Sequence, residues 1–285
     1  DILQKISNKN IIIFMINKFN FKIFNLIDKQ IDPLLKKDIF SLSNSKFDSL
    51  IKSDEYKNDD FFDIVKILDW DSKFWNQKTS FISSLFLNKK IYNKINSFNK
   101  KNNVKICTYL CNCHDKQSVL IAEENNFHFT DIRLTLNLNL SKIKVKKTIN
   151  KNYLFKKAVI EDIPVLKNIS KNIYVHSRYY FDKKYPKNKI SNFYMNWVEK
   201  SVKSLFDNYC LCLYYKNKVI AFTTIKINNK NSSSIGLFGV DKNYLNKKIG
   251  SLMLQNVFIF LKKNKISNIE VVTQGRNIIA QKLYQ

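Results

Sequence analysis

The chain has 285 residues, 45% hydrophobic and 14% aromatic, with a formal charge of +26. At about 100–200 residues per domain that length supports two domains, and the apolar share excludes a disordered chain. Four glycines and three prolines exclude collagen-like and linker-like sequences.

The charge points first to a polyanion. Its make-up points elsewhere, because Arg133, Arg178 and Arg276 are the only arginines among 49 basic residues. Nucleic-acid readers use arginine forks for phosphate and guanine. The lysines are spread among Asn and Ile, the residues an AT-rich genome over-supplies. No nucleic-acid partner is expected, although the field would favour ligands that carry phosphate. Five cysteines form no disulfide framework. Cys107, Cys111, Cys113 and His114 match no common zinc spacing, so no metal is expected. The apolar stretch 11–27 is broken by Asn17, Lys18, Asn20 and Lys22. It is too polar to span a bilayer, and no small-residue cleavage site follows. A cytoplasmic protein without membrane insertion is expected.

In chain order, residues 1–60 read as a helical extension with a dense apolar patch from Ile11 to Phe19 and a charged break from Asp54 to Asp60. Residues 61–145 read as a small α/β domain, with strands predicted at 64–68, 104–110 and 129–138 and helices at 88–99 and 117–126. The lysine-rich stretch 141–152 reads as the interdomain linker. Residues 153–285 form the second domain. Its predicted elements are a strand at 155–158, a helix at 161–172 with Pro164 in its first turn, and a helix at 191–205. Three strands follow at 209–215, 218–227 and 234–240, the first two joined by the hairpin-sized turn Lys216-Asn217. A helix at 246–263, a strand at 268–273 and a helix beginning near Arg276 complete it.

The segment from Ile235 to Leu254 runs from strand through a polar loop into an amphipathic helix. Loop N–H groups and the helix dipole make an anion site there, with a pyrophosphate as natural occupant. This segment resembles motif A of the GNAT acetyltransferases, Arg/Gln-x-x-Gly-x-Gly/Ala. Gly250 matches; Leu245 and Lys248 depart, and Lys248 asks a residue with a Cβ to do what Gly does freely. The run from Asn277 to Tyr284 resembles motif B. The resemblance implies an α/β (α+β) GNAT fold, a mixed and mostly antiparallel sheet flanked by helices, binding acetyl-CoA. It assigns the cofactor to Phe238, Gly239, Val240, Leu245, Asn246, Lys247, Lys248, Ile249, Gly250, Ser251 and Asn277. It makes Tyr284 the catalytic acid that protonates the leaving thiolate. Two more strands are expected after motif B, so the domain reads as C-terminally truncated.

Further colinear segments narrow the resemblance. These are Glu161 to Leu166, His176 to Tyr179, Phe193 to Glu199, Phe206 to Leu211 and Val272 to Asn277. Together they are similar to the dTDP-fucosamine type of nucleotide-sugar N-acetyltransferase of enterobacterial common antigen synthesis. Leu68 to Trp75 and Glu124 to Phe129 extend the likeness into the first domain. The implied reaction is acetylation of the 4-amino group of a dTDP-4-amino-4,6-dideoxy sugar. Arg178 is the expected partner of the substrate diphosphate, Tyr179 and Tyr185 the expected stacking residues, and Phe222 part of the substrate wall. Asp182 and Asp207 are candidate bases by neighbourhood alone. A homodimer is an open expectation. The alternatives are a GNAT acting on a protein or peptide amine and a degenerate GNAT-fold binding module.

Overall fold

A computed structural model describes residues 11–12, 64–84, 87–113, 115–145 and 152–285. They fall into two compact units divided between Phe129 and Thr130, with residues 11–12 in the second. No helix among the described residues is long and apolar enough to cross a membrane.

The first element, β1, is Ile11–Ile12, extended rather than helical. The rest of the expected helical extension lies outside the described residues. The first unit then runs β2 (Val65–Ile67), α1 (Asp69–Trp75), β3 (Thr79–Ile82), α2 (Lys89–Lys101), β4 (Ile106–Tyr109) and α3 (Lys116–Glu124). Its sheet has the order β2-β3-β4, antiparallel then parallel. Helix α2 starts where the Asn88 side chain accepts the Ile91 N–H at 2.8 Å, and it buries Ile91 and Ile95, one turn apart, against Val65 and Ile82. Among the described residues no group of three or more His, Cys, Asp or Glu could hold a metal; His114 lies outside them.

The second unit comprises β5 (Arg133–Asn139), β6 (Tyr153–Lys157), α4 (Ile163–Ser170), α5 (Arg178–Phe181), α6 (Lys187–Val202), β7 (Tyr209–Tyr215), β8 (Lys218–Asn229), β9 (Ser232–Val240), α7 (Ile249–Lys263), β10 (Asn268–Gln274) and α8 (Ile278–Tyr284). Its sheet has the order β1-β5-β10-β9-β8-β7-β6, antiparallel except for β9 beside β10. The β7–β8 turn places Lys216 and Asn217 at φ 47° and 64°, the left-handed pair a tight hairpin requires.

The sequence reading assigned the strand near 133 to the first domain and put the linker after it. Instead β5 pairs with β10 along its whole length, from Arg133 opposite Gln274 to Asn139 opposite Asn268. Leu134, Leu136 and Leu138 alternate toward one face, which demands a sheet without naming which sheet. The side of β10 away from β9 is therefore occupied by an earlier strand.

Strand β8 is buried from Val219 to Ile225, as befits a central strand covered on both faces. Helix α7 lays Ile249, Met253, Val257 and Leu261 on one face, against Leu211, Leu213, Ile235 and Val271. Each such side chain contributes roughly 1.5–3 kcal/mol by leaving water. Helices α4 and α6 pack on each other and on β7, β8 and β9. Glu199 of α6 ties them together, bonded to Lys167 of α4 at 2.5 Å and to Lys203 at 2.6 Å.

Candidate active site

The two parallel strands part company halfway along. Pairing between β9 and β10 ends at Ile235 opposite Val271, while β9 continues to Val240 and β10 to Gln274. A bulge in β9 sits at that point. From Thr223 to Ile225 the register advances two residues on β8, and from Ile235 to Phe238 three on β9, so one residue of β9 is extra. Its backbone groups are not left unsatisfied. The Leu237 N–H donates to Thr224 Oγ1 and the Leu237 carbonyl accepts from Thr223 Oγ1, both at 2.8 Å. Both threonines are fully buried. Gly236 is required here, because a Cβ would lie 2.6 Å from Asp207 Oδ2 and 2.7 Å from Thr224 Oγ1. Asp207 accepts from Trp197 Nε1 at 2.8 Å and from Ser201 Oγ at 3.0 Å. It is a buried acceptor beneath the bulge and does not face a substrate as a base would. Asp182 serves locally as well, accepting the Lys184 N–H at 2.9 Å.

Past the bulge, Gly239 meets Phe222 so closely that a Cβ would stand 2.6 Å from the Phe222 ring and from Ile173. Phe222 has no exposed surface. It was expected to touch substrate; it fills the core behind Gly239 and so shapes the gap indirectly.

The loop into α7 is built for an anion. Asn246 and Lys248 have φ 60° and 57°. Lys248 thus adopts the left-handed conformation that Gly takes freely, at a cost of roughly 1–2 kcal/mol for a residue with a Cβ. Helix α7 has no side-chain cap and no acidic residue in its first turn. Among the described residues no protein acceptor meets the N–H groups from Leu245 to Ser251. Residues 245–248 are exposed. Lys247 Nζ folds back onto the Asn243 carbonyl at 2.9 Å. Unpaired N–H groups, the positive end of a fifteen-residue helix and two lysines all favour one kind of guest, a phosphate. The donor set fits the diphosphate of coenzyme A.

Gly250 has an ordinary helical backbone, and its importance lies elsewhere. A Cβ there would come within 3.2 Å of both Leu283 methyls. The glycine thus lets α8 approach α7 and fixes the residue after Leu283, which is Tyr284. The Tyr284 ring meets the Phe238 ring edge-on at a centroid distance of 6.1 Å, at the stretch of β9 that has left β10. Tyr284 is half-buried, and among the described residues its hydroxyl has no protein partner. Burial raises its pKa above the ordinary 10.0, so the phenol keeps its proton at neutral pH and can act only as an acid. Asn277 is the N-cap of α8, its Oδ1 accepting the Ala280 N–H at 3.1 Å.

The residues expected to meet the acceptor lie in α5. The Arg178 guanidinium stacks 4.9 Å from the Tyr179 ring centre. Tyr179 and Tyr185 are 7% and 3% exposed and meet edge to face at 4.8 Å; they form the interior of an aromatic wall and present no stacking face to solvent. Sequence reasoning overlooked another member of that wall. Tyr174 stacks on Tyr194 at 4.3 Å and its hydroxyl donates to the Phe238 carbonyl at 3.3 Å. The adjacent Thr223-Thr224 pair inside an otherwise apolar strand was a legible sign of the bulge that also went unread. A separate open groove of about 720 Å³, lined by Asp162, Tyr215, Lys218, Asp241, Tyr244 and Lys247, adjoins the loop. Its lining includes neither Phe238 nor Tyr284.

Residues 173–285 match the family model described as Acetyltransferase (GNAT) family. No curated protein matches the sequence. Among solved structures, a conserved protein of unknown function from Staphylococcus epidermidis aligns over 74% of this chain and 79% of its own, at 14% identity and TM-score 0.51. A tandem GNAT protein from the clavulanic acid biosynthesis pathway aligns over 72% of this chain and 70% of its own, at 10% identity and TM-score 0.47. The PaiA N-acetyltransferase of Thermoplasma acidophilum, solved with coenzyme A, aligns over 46% of this chain and 86% of its own, at 19% identity and TM-score 0.40.

Proposed function

From the premise that residues 173–285 are a GNAT-family domain, an acetyl-CoA-dependent N-acetyltransferase, we propose that the protein acetylates the 4-amino group of a dTDP-linked deoxy amino sugar. One observation carries the assignment of the reaction: Tyr284, protonated and with an unpartnered hydroxyl among the described residues, sets its ring edge-on to Phe238, where β9 has left β10. Acetyl-CoA supplies the activated acyl group. The loop N–H groups from Asn246 to Ser251 would hold its diphosphate, with the Lys248 charge close by. The free N–H groups of the parted β9, near Phe238 to Val240, would stabilise charge on the acyl oxygen. Tyr284 would give its proton to the departing thiolate, a role its raised pKa suits. A neutral sugar amine needs no strong base, and Asp207 is held by Trp197 and Ser201 beneath the bulge.

The sugar reading rests on the colinear segments from Glu161 to Asn277 and on Arg178 as a fork for the substrate diphosphate. Leu245 and Lys248 favour a degenerate binding module; it is disfavoured because Tyr284 keeps its proton beside the parted strand. A thiol-release assay with acetyl-CoA and a panel of dTDP-amino sugars tests the proposal, together with Tyr284→Phe. Turnover should fall by about 10²–10⁴ in that variant with the KM for acetyl-CoA nearly unchanged. Unchanged turnover would remove Tyr284 from the mechanism; activity on peptide amines alone would replace the sugar.

A further inference from the structure

We propose that Arg133, Arg178 and Arg276 form one anion clamp that grips a phosphate of the acetyl acceptor; the inference rests on the nucleotide-sugar reading above. These are the only arginines in a chain with 49 basic residues, and they are far apart in sequence. The fold gathers them at one end of the sheet. Arg133 opens β5 opposite Gln274, the last residue of β10. Arg276 follows two residues later, and Arg178 opens α5. Arg276 lies 3.4 Å from the ring centre of Phe181, also in α5.

Among the described residues the cluster is incomplete in hydrogen bonds. Arg276 donates from Nη2 to the Thr130 carbonyl at 2.6 Å and holds Nε 3.7 Å from Asp131 Oδ1. Its Nη1 is buried and has no acceptor among the described residues. The same is true of Arg133 Nε. Among the described residues the Glu270 carboxylate acts on Arg133, and Arg276, Arg178 and His176 act on Asp131. Two buried donors, Arg133 Nε and Arg276 Nη1, therefore stay idle among the described residues. Such donors are costly in a partly dry site. An oxyanion would give both donors an acceptor, and a phosphate does so in the geometry of a guanidinium fork. Burial and the neighbouring Arg178 both weigh against the Arg133 charge, with Glu270 opposing, so a further negative charge would relieve it.

The clamp is also connected to the reacting end. Arg178 and Asp131 both act electrostatically on Tyr194. Tyr194 stacks on Tyr174, whose hydroxyl holds the Phe238 carbonyl, and Phe238 touches Tyr284. An acceptor with its amine at Tyr284 would need its anion on the far side of this aromatic wall, where the arginines stand.

The test uses the full chain saturated with coenzyme A, which fills the cofactor loop. Inorganic pyrophosphate should raise the thermal midpoint, and Arg133→Lys or Arg178→Lys should remove that rise while leaving the ligand-free midpoint close to the parent value. In acetyl transfer, the same variants should cut the preference for the dTDP-amino sugar over the free amino sugar by about tenfold or more, the loss of one charged hydrogen bond. Pyrophosphate protection that survives in both lysine variants, or equal losses on both acceptors, would overturn the clamp. Arg133→Gln guards against a lysine that still binds: retained protection there also overturns it. Lost protection combined with no transfer to any sugar would support the clamp and refute the sugar reading.

Discussion

Helices α7 and α8 each follow one of the two parallel strands, yet they begin in opposite ways. Helix α8 is closed by its own chain, since Asn277 accepts the Ala280 N–H and the end needs nothing more. Helix α7 is left open, with Lys248 left-handed in the cap position, no side-chain acceptor and no acidic residue in its first turn. A helix end that is neither capped nor complemented is poor for stability and good for catching an anion. The contrast separates an end closed by its own chain from one left open, within a single domain.

The sharpest way to break the contrast is to make the open end resemble the closed one. Lys248→Asp supplies a cap oxygen and a repelling charge at once. Acetyl-CoA affinity should drop by about tenfold or more, measured by calorimetry, even if the unliganded protein becomes more stable by about 1 kcal/mol. Undiminished affinity would mean that the loop is not the phosphate cradle. The reverse change, Asn277→Ala, should cost about 1 kcal/mol in a urea titration. If Asn277 only caps α8, the KM for acetyl-CoA will stay put; a rise in KM would restore its expected contact with the cofactor. Lys248→Gly keeps the loop open while removing its strain. It should stabilise the apo protein by about 1 kcal/mol or less, and any accompanying loss of acetyl-CoA protection would measure what the lysine charge contributes.

Smaller still are the pH effects. The Tyr284 pKa is raised, so its contribution to stability is complete below the ordinary tyrosine value of 10.0 and is lost as pH climbs toward the folded value. Turnover should therefore show no alkaline loss from this group until pH exceeds 10.0, read from a pH–rate profile. Lys167 and Lys203 depress Glu199 to about 2. Its contribution is present above the ordinary carboxylate range and lost as pH falls toward 2. Removing it by Glu199→Gln should cost less than about 1 kcal/mol at neutral pH, and the parent and variant stability curves should converge in acid.

Much of the second unit was legible because its elements carry strong local patterns. The strand at Tyr209–Tyr215 was read to the residue, and the helix ending at Lys263 to its last residue. The open loop before α7 was legible because a polar stretch between strand and helix leaves a sequence trace. What stayed hidden depends on partners far away in the chain. The alternation in β5 signals a half-buried strand without specifying β10 as neighbour. Nothing local foretells that Phe222 lies behind Gly239, or that Gly250 is small for the sake of Leu283 rather than for a turn. The four-residue α5 and the short β3 are below the length at which periodicity speaks. The scarce arginines were noticed as composition, and only the fold could bring Arg133 to Arg276.

The loan of β5 to the later sheet has a practical outcome. A fragment cut at the border of the family match, or at residue 153, would leave the apolar flank of β10 bare from Asn268 to Gln274. Bare strands of that kind recruit other copies of themselves and precipitate. Anyone excising the catalytic half should begin near Thr130 and carry the donated strand along, or expect to recover inclusion bodies.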